Sequence, residues 1–438
     1  MTITNTGFNR GTFFNVRSFG ASGDGRQLDT LAIQEAVDAC HAAGGGTVWL
    51  EAGQYLTGAI FFRDDITLHL EAGASLLASQ NATDYPIIPD RWEGLQQSVF
   101  APLITGNNLK NITIEGRGVI DGRGDPWWAA HKQKNLAYPR PRLIGFTGCN
   151  NVLIENITLT NSPSWTINPV RCNNVNIRGI TIINPPDSPN TDGINPDSCQ
   201  RVRISDCYIS AGDDCIAIKA GVEAERDELR KPCRDIAITN CIFERGHGGV
   251  VIGSETSGGV QNIVISNCIF IGTDRGIRLK SRRGRGGFIE NVRVSNLIMD
   301  NVLSPLTMNL YYACGAWGNP LVADKSTRLA DDGTPHFRNI HISQVTASNA
   351  KITAGFIYGL GEAPIEDISL SNISISMSTG GEPDYPEMAD GLVKMLQAGL
   401  FIRNVRRLRL DHVEVTNQVG NAIDVDESSD VEIIPIAG

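Results

Sequence analysis

The sequence predicts an all-β solenoid, a parallel β-helix of about ten coils with an amphipathic helix capping its N-terminal end. Three observations predict it. A similar segment recurs about ten times, each copy alternates apolar and polar residues over four to six positions, and no helical pattern separates one copy from the next. Short parallel strands with no crossover helices can bury their apolar face only by stacking coil on coil, about 4.8 Å apart.

The copies include NLKNITIEGRGVID from Asn108, CNNVLIENITLTN from Cys149, CNNVNIRGITIIN from Cys172, CQRVRISDCYIS from Cys199, CRDIAITNCIFE from Cys233 and VQNIVISNCIFI from Val260. The series continues from Ile289, Phe337, Ile365 and Val405. Each unit is a polar turn, a short strand, an Asn or Ser corner and a second short strand. Copies begin at uneven intervals, so the turns carry insertions while the strands persist. This register puts Cys172, Cys199 and Cys233 in one column and Cys207, Cys241 and Cys268 in another, as small interior side chains. None of the ten cysteines sits in a CxxC pair or beside His and acidic partners, so neither a zinc site nor a redox cluster is expected.

A solenoid must cover its ends. In DTLAIQEAVDACHAAGGG the apolar positions Ile33, Ala36, Val37 and Cys40 follow helical spacing, and Gly44–Gly46 stop the run, which gives the cap. No linker or change of composition divides the chain. Residues 1–438 therefore read as one unit, with cap and first strands over about 14–60 and repeated coils over about 100–430.

With a net charge of -10, neither nucleic acid nor an anionic membrane is expected as a partner, and no stretch has the apolar length of a membrane span. The opening residues lack a basic n-region and an apolar h-region. A cytoplasmic location is expected on that basis, with a secreted or periplasmic protein that has lost its leader as the alternative.

Four successive coils carry the polar residues that break the pattern: TDGINPDS, DDCIAIKA, HGGVVIGS and DRGIRLKS. Aligned on Ile194/Pro196, Ile216/Ile218, Val250/Ile252 and Ile277/Leu279 facing inward, they set Asp192 and Asp214 at equivalent positions on neighbouring coils. Asp213 stands beside them, His247 one coil further in the column of Asp213, and Arg278 and Lys280 outward on the next. Three carboxylates so close cannot all ionise easily, which supplies both an acid and a base for glycoside hydrolysis. Arg278 and Lys280 suit a substrate carboxylate, His247 suits tuning the acid, and Arg282, Arg283 and Arg285 extend a basic patch fit for a polyanion. The residues alone leave open which aspartate is the acid.

These motifs resemble those of the polygalacturonases, glycoside hydrolase family 28. They stand here as Asn190-Thr191-Asp192, Gly212-Asp213-Asp214, Gly246-His247-Gly248 and Arg278-Leu279-Lys280. The resemblance implies a right-handed β-helix and inverting hydrolysis of α-1,4-galacturonosyl bonds in polygalacturonate or oligogalacturonides, with no metal or other cofactor. It implies Asp213 as the general acid, Asp192 and Asp214 as activators of water, His247 as support for the acid, and Asn190, Arg278 and Lys280 as substrate ligands. The wording around the motifs is most similar to the bacterial exo-acting branch. NSPSWTINPV and MNLYYACG resemble its substrate-contacting segments, which implies Trp165 and Tyr311 at the site, whereas Asn168 stands where many bacterial relatives carry histidine. A galacturonate–rhamnose hydrolase of the same family, a calcium-dependent pectate-lyase-like eliminase and a non-catalytic glycan-binding solenoid are the alternatives. Oligomeric state is left open.

Overall fold

The computed structural model describes residues 12–225 and 227–434, which form a right-handed parallel β-helix. One ladder of parallel strands runs from Phe13–Asn15 to Val431–Ile434. Its ten middle members begin at Lys110, Asn150, Asn173, Gln200, Cys233, Val260, Phe288, His336, Ile365 and Val405. Strands Gly46–Leu50 and Ile66–Leu70 join the ladder ahead of them.

Register explains the interior. Ile154, Ile177, Ile204, Ile238 and Ile265 pair successively, each buried on its neighbour. Burying such a side chain is worth roughly 1.5–3 kcal/mol. The cysteines continue this logic at the corners. All but Cys314 are buried and free, and Cys207, Cys241 and Cys268 each donate to the carbonyl two residues earlier at 3.1–3.2 Å. In the other column the Cys199 amide donates to Cys233 Sγ at 3.3 Å.

The turn entering each strand needs left-handed backbone. Asn111, Asn151, Asn174, Asn262, Asn291 and Asn339 supply it with φ between 55° and 60°, a region asparagine tolerates because its amide bonds locally. Their side chains also stack, with amide-to-amide bonds of 2.6–3.0 Å from one coil to the next.

Helix Thr30–Ala42 covers the first coils with Ile33, Ala36, Val37 and Cys40, all fully buried. A second sheet face carries the site: strands Ile144–Thr147, Ile167–Val170, Asp214–Ile218, Gly248–Ile252, Arg275–Lys280 and Ser304–Asn309. Its ladder is bridged by Ile194 between Ile167 and Ile216 and by Asp197 between Val170 and Lys219. The long insertions enter and leave this face, so they form walls around it. One is an antiparallel hairpin, Ile87–Trp92 with Leu95–Phe100.

Candidate active site

The pairing Ile167↔Ile194↔Ile216↔Val250↔Ile277 fixes the columns. Two residues before these lie Trp165, Asp192, Asp214, Gly248 and Arg275, one per coil. Gly193 N bonds Asp214 O at 3.0 Å, and Thr166 N bonds Asp192 O at 2.9 Å, which holds the backbone beneath the two carboxyls. Asp213 precedes Asp214 at the bend, and its Oδ1 accepts the Asp214 amide at 2.9 Å. His247 N bonds Asp213 O at 3.0 Å, and His247 Nδ1 lies 3.3 Å from Asp213 Oδ1.

Lys280 reaches across two coils to place Nζ 2.9 Å from Asp214 Oδ2. Glycine permits this. A Cβ on Gly248, in the coil between, would come within 3.1 Å of Asp214 Oδ1 and 2.3 Å of Val251. Arg278 takes a different course. Its Nε and Nη2 donate to Glu387 Oε1 at 2.8 and 2.7 Å, leaving Nη1 3.6 Å from Asp214 Oδ1.

The three aspartates and Lys280 line a cavity of about 460 Å³, the scale of a small-ligand pocket, whereas His247 and Arg278 lie outside its lining. Asn190, Asp192, Asp213, Asp214, Lys219 and Lys280 line its floor. The hairpin tip (Glu93, Leu95) lines it together with Trp165, as do Tyr312, Cys314 and Gly315. Arg282 and Arg285 line one wall with Glu255, whereas Arg283 is buried away from the cavity on Glu362. The basic run of the sequence is thus split between ligand wall and scaffold.

Charges diverge as crowding requires. Burial, then Asp213, pushes the Asp192 carboxyl well above the ordinary carboxylate range. Burial also raises Asp213, but its bond to His247 and the charges of His247, Lys280 and Lys219 outweigh that and hold it below the ordinary range. The Asp213 bond lifts the largely exposed His247 to about 9. In the free protein the imidazolium faces an ionised Asp213, and the carboxyl that keeps a proton is Asp192.

Two residues expected from sequence sit differently. Trp165 lines the cavity, stacked on Trp92 at 4.6 Å between ring centres and beneath Lys219 Nζ at 4.9 Å. Tyr311 does not line it. Its ring is buried against Tyr358, under Lys325. The cavity aromatic is its neighbour Tyr312, which covers Lys280 Nζ at 5.0 Å, because adjacent residues leaving a strand point opposite ways. Asn190 accepts Arg140 Nη2 at 2.6 Å on the cavity edge. Asn168 lies under the hairpin, accepting Arg142 at 2.7 Å and donating to Asn195 O at 2.7 Å.

Sequence reasoning missed Lys219, Glu255, Arg140, Glu387 and the hairpin. Lys219 had a signal: it belongs to the same DDCIAIKA segment as Asp213 and faces outward with Ala217. In the structure it is buried, and its Nζ lies 3.1 Å from Glu255, whose carboxyl Lys219 and Arg285 hold down at about 2 against the cost of burial. The hairpin is fixed by buried ion pairs. Arg91 Nε meets Asp197 at 2.9 Å, Arg91 Nη1 meets Glu225 at 2.7 Å, and Asp90 pairs with Arg142. Breaking one such pair costs roughly 3–5 kcal/mol, so the wall is held rigidly.

A parallel β-helix with clustered carboxyls in a cation-lined pocket defines a glycan-processing enzyme. The profile of the family "Glycosyl hydrolases family 28" matches residues 62–388, and the chain belongs to that family of glycoside hydrolases. It is 35% identical over 370 residues to a probable polygalacturonase of Vitis vinifera, covering 82% of this chain and 73% of that one. It is 31% identical to an endo-polygalacturonase of Pectobacterium carotovorum subsp. carotovorum, covering 74% and 84%. The hyperthermoactive exopolygalacturonase of Thermotoga maritima superposes with a TM-score of 0.75 at 30% identity, covering 84% and 87%. Endo- and exo-acting enzymes thus both stand among its relatives.

These relatives correct one expectation. They are plant and bacterial enzymes named for a cell-wall polymer that a cytoplasmic protein would not meet, so the cytoplasmic location inferred from the opening residues does not stand.

Proposed function

We propose that the protein hydrolyses α-1,4-galacturonosyl bonds of homogalacturonan or its oligomers from the chain end, with inversion. The observation that carries this reading is the aspartate trio in a cavity that the clamped hairpin helps to line and that Lys219, Lys280, Arg282 and Arg285 wall. A cationic pocket suits a uronate, and a hairpin held rigidly in the cavity wall suits a chain terminus better than a continuous chain.

In this reading Asp213 and His247 share the catalytic proton, held between Nδ1 and Oδ1. Asp213 delivers it to the glycosidic oxygen as the bond to the anomeric carbon breaks, and the leaving sugar departs as an alcohol. Water, oriented by Asp192 and Asp214, attacks the opposite face of that carbon and gives its proton to Asp214. Lys280 stabilises the Asp214 carboxylate before attack and, with Arg282 and Arg285, holds substrate carboxylates.

A second reading rests on the apolar patch of Leu95, Trp165 and Val222 beside the hairpin tip. That patch suits the methyl group of rhamnose in a galacturonate–rhamnose polymer. Product analysis on polygalacturonate and on the rhamnose-alternating polymer decides. We expect galacturonate monomer alone from the earliest time on polygalacturonate, released as the β-anomer by ¹H NMR, with chelator present and no new ultraviolet absorbance. A ladder of oligomers overturns end-on cleavage, the α-anomer overturns inversion, and turnover restricted to the rhamnose polymer favours the second reading.

A further inference from the structure

The tip of the hairpin carries a residue that folding does not ask for. Strands Ile87–Trp92 and Leu95–Phe100 are joined by Glu93 and Gly94, both with left-handed backbone, at φ 48° and 81°. A two-residue turn of this kind favours Asn, Asp or Gly at its first position, and glutamate there is strained. Among the described residues its carboxylate joins no ion pair and accepts no hydrogen bond, so it does not hold the turn together. It stands exposed and lines the cavity with Trp165, Lys219 and Val222. Strain of this sort persists where a side chain serves a site.

The hairpin fixes that position. Arg91 and Trp92, just before Glu93, are buried, the first ion-paired to Asp197 and Glu225 and the second stacked on Trp165. Gly94 presses on the neighbouring loop. A Cβ there would come within 2.8 Å of Val222 Cγ1 and 3.0 Å of the Val222 amide nitrogen. Glu225 ties loop and hairpin together, since it accepts from Arg91 at 2.7 Å while its own amide bonds Val222 O at 3.0 Å.

We propose that Glu93 is a specificity-determining substrate ligand that accepts the free 4-hydroxyl of a chain-terminal galacturonate. A carboxylate accepts hydrogen bonds and cannot donate them, so it suits a sugar hydroxyl and repels a uronate carboxylate. In an α-1,4-linked chain every internal unit has O4 tied into a glycosidic bond. Only the non-reducing terminal unit has an O4–H to give. A further unit on that side would also bring its own carboxylate toward Glu93. Attraction and repulsion thus select the same thing, a terminus.

The inference deepens the end-on hydrolase reading, rests on it, and is tested with the full chain. Hydrolysis is measured on trigalacturonate and on the trimer whose non-reducing unit is 4,5-unsaturated and so lacks O4. Wild type is expected to prefer the saturated trimer by about tenfold to a hundredfold in kcat/KM, the range of a hydrogen bond to a charged group. Glu93→Gly removes the side chain and suits the left-handed turn, so the fold is kept. It is expected to erase the preference by lowering turnover of the saturated trimer alone. A displaced hairpin would lower both alike. Where the unsaturated trimer is not cleaved, its inhibition constant against the saturated one is compared between wild type and variant in the same way. A wild type indifferent to O4, a preference intact in Glu93→Gly, or an equal loss on both trimers overturns the proposal. Wild-type protein that releases no galacturonate from trigalacturonate defeats the functional reading and this one with it, while release with any of those three results defeats this one only.

Discussion

The asparagine corner and the aspartate face belong to the same coils and obey the same register, yet they use it in opposite ways. At the corner each coil repeats its predecessor, and Asn111, Asn151 and Asn174 join amide to amide. On the face the residue type is repeated once, at Asp192 and Asp214, and otherwise changes from coil to coil, with Trp165, Gly248 and Arg275 in the same column. Repetition satisfies neighbouring backbone and side-chain groups with each other, which yields stability. Departure from it leaves charges facing unlike charges and empty space, which yields perturbed protonation and a pocket.

Asp213→Asn is the sharpest way to test that contrast. It keeps the side chain's size and removes the transferable proton, so kcat is expected to fall by about 10²–10⁴-fold. The fold is kept and galacturonate binding stays near wild type, while the thermal midpoint falls where the His247 pairing is lost. Undiminished hydrolysis would break the assignment of the face as a catalytic site.

His247→Gln gives an intermediate effect that depends on pH. His247 is raised in the fold from 6.5 to about 9 by Asp213, so its pairing contributes stability fully below pH 6.5 and loses it as pH rises through about 9. The stability gap between wild type and variant is expected to be widest near pH 6 and to close by about pH 10. A gap that persists into alkaline solution would show that the histidine matters by packing and not by charge.

At the corner, Asn174→Ala should do the reverse of Asp213→Asn. Alanine pays roughly 1–2 kcal/mol for the left-handed backbone, and the two amide contacts of Asn174 are lost. The melting temperature falls slightly and kcat/KM holds. A change in kcat/KM at constant fold would mean that the two regions are not energetically separate.

Much of this was legible because repetition is itself a message. Aligning coils placed the cysteine columns and the aspartate trio, since a parallel stack converts sequence offset directly into position. Features outside the repeat left no such trace. The hairpin pairs with itself, antiparallel, and reaches the floor through Arg91 and Asp197, whose meeting no periodicity announces. Glu387 joins Arg278 across 109 residues from an irregular stretch. Tyr311 and Tyr312 are adjacent beyond the last alternating position, so the face each one takes depends on how the chain leaves the strand. Lys219 was within reach, one period of the alternation beyond Ala217, but a lysine among strand residues looks like a solvated edge until its coil neighbours are counted.

The uneven intervals between coils have a consequence for descent. Successive corner asparagines lie 23, 29 and 48 residues apart, yet their amides meet with the same geometry. Doubling a loop costs only about 0.6 kcal/mol in closure entropy. Insertions can therefore accumulate around the face without displacing a single carboxylate. Chemistry and selectivity are inherited on separate parts of the chain, so a lineage can change what it digests by editing walls while its catalysts stand still.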